Sequence, residues 1–509
     1  MFMNTYRRIT HRIIPFILLF RHPQPMESKT GSEAVESWEA AQLAALPQSP
    51  KSRLLLLLQV SEMRAMFLTF ILSLAVYAMC FYGPRLQSHP WHIFIFIGFS
   101  ICFVRYVASG GSACDARLFK HRVVAIVTGS NSGIGLATAT ALLRHGITVV
   151  FAVRDVEKMK KMVPKIAKDL DILDPSLLDD YIHILPLDLT SASSIQNFVT
   201  EFANLRLPCH ILVNNAGALR SRYGVQPAPC VTRELEKFFE GDAKSGRPRI
   251  LAPPVEGALV EDSFACNFLG HFLLTLLLLP MLDKCSARVI NLTSLIHISV
   301  TDKTKIEEMN MTDVRTWDGP TAYARAKLCV IWFTRALQRR FDELGGGAQA
   351  FAVHPGTVWS PFHMPFYRDS PCGIFMLFPL LMSPLAWLCM KSTEEGCQTT
   401  IQCALGRNLS PGQHYAECGI SACSPLAQDD EKGEAMWRYC LSLLGLTEEV
   451  VTRGKRRDDD VDDDEDEDED ETEKENERLK EQVEIALQQA LLQKQVNRQQ
   501  KQPARKTRT

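Results

Sequence analysis

In TAYARAKL, residues 321–328, Tyr323 precedes Lys327 by four positions. On a helix that spacing brings both side chains onto one face. A phenol ionises near pH 10 and is a poor base at neutral pH. An ammonium held beside it favours the phenolate, so the spacing predicts a lowered pKa for Tyr323. The pair is a candidate proton-transfer device, although a Tyr and a Lys on a plain surface helix would share the spacing. The rest of the chain has to decide.

A second group of residues suits an anionic ligand. Thr128, Gly129, Ser130, Asn131, Ser132, Gly133, Ile134 and Gly135 follow the β-branched run RVVAIV and open a helical stretch that ends at Gly146. Gly129 permits a tight turn, Gly133 lets the backbone approach a diphosphate, and Gly135 allows close helix–sheet contact. The helix N-terminus then faces the negative charge. The following strand ends in FAVRD. An acid there would hold the ribose hydroxyls of NAD(H), whereas an arginine can pair with a 2′-phosphate. Arg154 therefore points to NADP(H) in preference to NAD(H), with Asp155 as the competing signal. Asp188, in LPLDL, could bind an adenine amino group.

These residues need a scaffold. From Arg122 the chain alternates strands (RVVAIVTG, ITVVFAVRD, YIHILPLDL, HILVNNAG, ARVINLTS, GAQAFAVHPG) with helical stretches, one of them over 155–170. That alternation predicts an α/β fold, a doubly wound parallel (Rossmann) sheet ending near Gly445. Ahead of it lie two apolar runs, 65–82 without charge and 91–108 uncharged up to Arg105, which could snorkel at an interface. A bilayer core needs ~20 apolar residues per helix. Pro84 and Pro90 punctuate the link, so 63–110 is read as a membrane-anchoring helical hairpin. Lys51, Arg53 and Arg64 ahead of the two apolar runs, and Arg105, Arg117, Lys120 and Arg122 at their end and beyond, put both flanks on the cytosolic side. Residues 1–62 read as an unstructured extension, with Met63 and Met66 as candidate starts, and 447–509 as an acidic linker and short charged helix.

Composition excludes little but is consistent with this. Of 509 residues, 46% are hydrophobic and 22% charged, as in an average globular protein. Residues 455–509 hold 18 acidic and 12 basic side chains, which leaves the body mildly basic and gives no support for nucleic-acid binding. Fifteen cysteines form no C-x-x-C pair, and no His partners stand at zinc-site spacing, so no metal site is expected. Reduced thiols in a cytosol-facing protein are the simplest reading.

TGSNSGIG, LDL at 187–189, NNAG at 214–217, NFLGHFLLT at 267–275, VINLTS at 289–294, YARAK at 323–327 and HPG at 354–356 stand in the order of the short-chain dehydrogenase/reductase family. The chain resembles that family over roughly 118–446. Within it, GHFLLT, the Arg154-Asp155 ending and the segment from STEEG to LLGL resemble the membrane-attached retinol dehydrogenases. The resemblance implies hydride transfer between NADP(H) and a lipophilic alcohol or carbonyl, with a retinoid as the leading substrate and steroids, polyprenols and long-chain aldehydes as alternatives. Tyr323 would exchange the proton. Lys327 would lower its pKa and hold the nicotinamide ribose. Ser294 would hydrogen-bond the substrate oxygen, and Asn267 would organise a water path toward the lysine. Leu189, Asn215, Ala216, Gly217, Pro355, Gly356 and Thr357 would join the glycine turn, Arg154 and Asp188 around the cofactor. The resemblance also implies attachment to a bilayer, at the endoplasmic reticulum with the catalytic domain facing the cytosol, and a homodimer as a candidate assembly. Cys329, two residues after Lys327, is similar to a cysteine of protochlorophyllide reductases.

The chain departs from the family in a surface insertion near 225–260, in Thr293 where serine is common, and in Val153 in place of a cysteine. PCGIFMLFPLLMSPLAWLCM, 371–390, is uncharged. Pro379 and Pro384 are expected to break a continuous helix, and the segment reads as an apolar substrate lid at the membrane interface rather than a span. The alternative from another class is a catalytically silent nucleotide-binding scaffold whose acidic tail recruits an unidentified basic partner.

Overall fold

The computed structural model describes residues 61–82, 91–113, 123–228, 258–360, 362 and 378–446. The N-terminal extension before Ser61, most of the insertion, residues 363–377 and the acidic tail lie outside the described residues.

β1 (Val124–Thr128), β2 (Thr148–Val153), β3 (Ile182–Pro186), β4 (Ile211–Asn214), β7 (Arg288–Leu292), β8 (Gln349–Val353), β9 (His414–Ala416) and β10 (Gly419–Ile420) form one sheet in the order β10-β9-β8-β7-β4-β1-β2-β3. Every pairing is parallel except β9 with β10. β1, β2, β4 and β7 are buried along their whole length, which is why they read as unbroken apolar runs rather than alternating ones. The sequence reading missed β9 and β10, at three and two residues too short to show a period. β5 (Val225–Pro227) and β6 (Leu259–Glu261), at the two ends of the insertion, pair antiparallel.

Helices cover both faces. α3 (Gly133–Arg144) and α10 (Gln398–Leu405) pack on one, with Leu142, Phe151, Ile401 and Tyr415 in the core between. α6 (Ala192–Asn204), α7 (Gly270–Lys284), α8 (Gly319–Leu344) and α11 (Asp430–Leu444) cover the other, around Phe198, Phe272, Trp332 and Trp437. The helical stretch expected over 155–170 is two helices, α4 (Val156–Lys160) and α5 (Val163–Asp169), with Pro164 in the first turn of the second. The sheet order reverses between β1 and β4, which opens a crevice at the carboxyl ends of the strands.

α7 is apolar on all sides because it is buried on all sides. Among the described residues, Asp262–Lys284 is the helix long and apolar enough to cross a membrane, and 83% of its apolar window lies inside the domain. Hydropathy alone therefore selects a core helix. The two N-terminal apolar runs form α1 (Ser61–Tyr82) and α2 (Trp91–Ser109), which pack on each other. Phe67, Phe70, Leu74, Phe94, Ile95 and Phe99 are exposed on them.

The lid segment corrects two expectations. α9 (Phe378–Cys389) runs through Pro384 rather than breaking there. It also packs on the hairpin: Cys389 joins Ala65, Val104, Val107 and Ala108 in one apolar cluster. Arg105 does not snorkel; its guanidinium lies 2.6 and 2.5 Å from the two carboxylate oxygens of Glu395. Beside it Lys391 Nζ sits 2.8 Å from Glu417 Oε1, and the same carboxylate accepts from Ser61 Oγ (2.8 Å) and Gly111 N (3.0 Å).

Candidate active site

α8 carries the opening pair. Asp318 caps it by accepting from Thr321 N (3.0 Å), Pro320 occupies the first turn, and Gly345 ends it at φ +75. Tyr323 and Lys327 then sit one turn apart, with Lys327 Nζ 5.6 Å from the Tyr323 ring centroid. Lys327 is 3% exposed, and its ammonium donates to Leu292 O at 2.8 Å. Burial pulls its pKa down to about 8.

The expected depression of the Tyr323 pKa is not found. Burial pushes the phenol above its ordinary value, and the hydrogen bond with Ser294 pulls only part of the way back. Desolvation thus disfavours the charged phenolate more than Ser294 favours it. Ser294 stands two residues after the end of β7 and caps the turn Leu295–Ser299. Thr293 is no substitute for it, because its hydroxyl is used on Lys327 O (2.7 Å).

Asn267 lies in a π-helical turn, Ala265–Leu269, where α7 begins. π-turns of this kind are frequent at functional sites. Its amide holds the backbone rather than facing the cleft: Oδ1 accepts from Ala218 N (2.9 Å), and Nδ2 donates to Ala218 O (3.0 Å) and Ser263 O (2.8 Å). The side chain thus ties the end of the 215–218 segment to the start of α7. A Cβ on Gly217 would stand 2.8 Å from Asn267 Oδ1 and 3.7 Å from Lys327 Nζ, so the two flank that glycine. One turn on, buried His271 bonds the Asn267 carbonyl and Thr128 Oγ1 (2.9 Å), and burial lowers its pKa to about 3. Thr128 Oγ1 in turn accepts from Asn215 N and Ala216 N, both at 2.9 Å.

The glycine turn has the geometry its spacing predicts. Gly129 has φ +65, and a Cβ there would meet Ala216 Cα at 2.9 Å. A Cβ on Gly135 would meet Gly129 O at 2.5 Å. α3 begins without an acid in its first turn and without a side-chain cap, so its terminal N–H groups face the cleft. Ser130 Oγ is buried with no partner among the described residues. This donor-rich rim fits a diphosphate.

A cleft of about 1040 Å³ joins these parts. Every residue expected at the cofactor or reaction site lines it except Ser130 and Asn267. Arg154 and Lys158 stand together on its wall, whereas the Asp155 carboxylate is turned to capping α4 through Lys158 N (2.9 Å). Sequence reading missed Lys158, Cys266 and Phe362, which also line the cleft. Lys158 lies in the first turn of α4 while Arg154 precedes the cap Asp155, so no helical spacing linked the two in the sequence. Phe362, whose ring centroid is 5.4 Å from that of Tyr323, follows an irregular segment with no periodic signal. Cys329 is fully buried in the core, off the cleft.

The short chain dehydrogenase family model matches residues 123–237, from β1 into the insertion. Retinol dehydrogenase 12 of Mus musculus is 32% identical over 342 residues, 67% of this chain and 92% of that one. The chain belongs to the short-chain dehydrogenase family. Retinol dehydrogenase 13 of Mus musculus is 32% identical over 358 residues, covering 69% of this chain and 91% of that one. Polyprenol dehydrogenase of Homo sapiens is 33% identical over 301 residues, covering 57% and 76%. This short-chain dehydrogenase thus resembles retinol dehydrogenases over the sheet, the cleft and the helices that close it. It is an oxidoreductase of the CH–OH class with a nicotinamide-dinucleotide fold.

Proposed function

We propose that the protein is a membrane-attached NADP(H)-dependent oxidoreductase interconverting a lipophilic alcohol and its carbonyl, with a retinoid as the leading substrate. The observation that carries this reading is the single cleft holding the glycine turn at one end and Ser294, Tyr323 and Lys327 at the other. Preference for NADP(H) over NAD(H) is supported by Arg154 and Lys158 on the wall and by the use of Asp155 as a cap. Two cations facing one pocket suit a 2′-phosphate.

When bound, NADP(H) supplies or accepts the hydride. Tyr323 gives its proton to the oxygen of a reduced carbonyl, and Ser294 hydrogen-bonds that oxygen as charge develops. Lys327 would hold the nicotinamide ribose, and it keeps a cation next to the phenol. Thr128, Gly129, Asn131, Ser132, Gly133, Ile134 and Gly135 form the phosphate rim, with Ser130 behind it. Asp188, Leu189, Asn215, Ala216 and Gly217 would hold the adenosine and ribose, and Pro355, Gly356 and Thr357 the nicotinamide. Asn267 acts by holding Gly217 and Ala218 in place.

The apolar faces of α1, α2 and α9 support bilayer attachment, with the cleft on the cytosolic side of the endoplasmic reticulum. The retinoid, polyprenol and steroid readings share this apolar surface. The test is oxidation of NADPH with all-trans-retinal and a panel of lipid carbonyls. Turnover that falls about 10²–10⁴-fold in Tyr323→Phe, with NADPH binding intact, supports the enzyme. NADPH binding without turnover on any carbonyl of the panel would instead favour the nucleotide-binding scaffold.

A further inference from the structure

The N-terminal hairpin is fastened to the catalytic domain by polar contacts that lead to one wall of the cleft. Ser61, which opens α1, donates through Oγ to Glu417 Oε1 at 2.8 Å. Gly111, just past the end of α2, donates through its N–H to Glu417 Oε2 at 3.0 Å. Both ends of the hairpin therefore close on one carboxylate, whose side chain is only 9% exposed. The fit is close: Gly110 has φ +72, and a Cβ there would stand 2.6 Å from Lys391 Nζ. Further along α2, Arg105 is held by both carboxylate oxygens of Glu395.

Each anion passes the constraint on. Glu417 holds the Lys391 ammonium at 2.8 Å. The backbone of Lys391 pairs with the cleft wall: its N–H donates to Thr357 O (3.0 Å), and its carbonyl accepts from Trp359 N (2.9 Å). The result is a parallel bridge between Val358 and Lys391. Glu395 precedes Gly396, where a Cβ would meet Val358 Cγ2 at 2.4 Å, so that turn bears on the same wall residue. Thr357, Val358, Ser360 and Phe362 line the cleft, and the Phe362 ring centroid is 5.4 Å from that of Tyr323. A buried ion pair adds little net stability over apolar packing, so its use at this junction points to geometry rather than to attachment.

We propose that the hairpin is a working part of the reaction site: Ser61 and Arg105 position the cleft wall at 357–362 through Glu417 and Glu395, so that the seating of α1 and α2 sets the fit of the carbonyl substrate. This rests on the reading of the cleft as the reaction site. Neither Ser61 nor Arg105 lines the cleft, so both are positioning residues.

The test compares the full-length protein in phospholipid nanodiscs with Arg105→Gln, Arg105→Lys and Ser61→Ala. The readouts are hydrogen–deuterium exchange and NADPH-dependent reduction of hexanal, a soluble carbonyl that needs no bilayer. Arg105→Gln and Ser61→Ala should each speed exchange over 357–360 about fivefold and leave 124–135, β1 and the glycine turn, unchanged. Each should also raise the KM for hexanal about three- to fivefold, while adenosine 2′,5′-bisphosphate binds as before. Arg105→Lys, which keeps a cation for Glu395, should restore most of both. Unchanged exchange over 357–360 would overturn the proposal. So would an equal rise across the whole domain, which marks general loss of stability, or faster exchange with unaltered hexanal kinetics. If the unaltered protein binds NADPH but reduces no carbonyl, the functional reading fails. The exchange pattern alone then decides whether the hairpin holds the wall.

Discussion

Among the described residues, two lysines are almost wholly buried, in different company. Lys391, 1% exposed, lies where α1, α2 and α9 meet the domain, 2.8 Å from the Glu417 carboxylate. Lys327, in the cleft, donates to a backbone carbonyl at 2.8 Å and has no carboxylate partner among the described residues. The first is a closed ion pair, further satisfied by Ser61 and Gly111 around its anion. The second is a cation whose burial is uncompensated, and its pKa falls to about 8 in consequence. A fold that pairs one buried charge and leaves another open marks the open one as a binding or reaction group. The same contrast separates Asp155, used as a helix cap, from Arg154, which stands on the cleft wall.

Exchanging each lysine for methionine should separate the two roles. Lys327→Met is expected to lower turnover by about 10²-fold or more without lowering thermal stability. Lys391→Met should leave the Glu417 carboxylate buried and unpaired, at a cost of about 3–5 kcal/mol in unfolding free energy. Denaturant melts and turnover on the two proteins check both. Similar stability losses in the two variants would erase the distinction.

The pH dependence of stability sharpens it. Lys327 has a folded pKa of about 8, below the ordinary lysine value of 10.5. The folded state then binds fewer protons than the unfolded one between those values, so this group's contribution to stability rises with pH across that window. The stability gain of Lys327→Met should be largest below pH 8 and vanish toward pH 10.5. The Glu417 carboxyl is held below its ordinary value by Lys391, Ser61 and Gly111 against the opposing effect of burial. Its contribution is present above the unfolded carboxylate pKa and is lost as pH falls through the lowered one.

A smaller effect is expected at the far end of the cleft. Arg154→Ala should raise the KM for NADPH about tenfold and leave that for NADH nearly unchanged, since only the 2′-phosphate distinguishes them. Equal changes would remove the support for NADP(H). The smallest is at α9. Trp387, exposed on that helix, replaced by Asp should reduce turnover of bilayer-held substrate a few-fold and spare a small soluble carbonyl. Equal loss on both would argue against substrate entry from the bilayer.

Much of the cleft was legible in the sequence, because the glycine turn, Ser294, Tyr323 and Lys327 are fixed by element ends and helical spacing. Their electrostatics were not. The pKa direction of Tyr323 depends on desolvation, which no spacing encodes, and the Asn267 amide is satisfied by backbone groups of Ala218, 49 positions away. The strands β9 and β10 escaped because they are too short to carry a period. α9 is continuous through Pro384 and docks on the N-terminal helices through contacts distant in the chain. Asp262–Lys284 shows the converse: an apolar pattern that says buried without saying in what.

The pH profile of hydride transfer from NADPH, compared between the unaltered protein and Lys327→Arg, tests the uncompensated cation most directly. An arginine keeps the charge and does not deprotonate in this range. The account predicts a rate that falls as pH rises through about 8 in the unaltered protein, and no such fall in the arginine variant, whatever its absolute rate. The same falling limb in both proteins would contradict it.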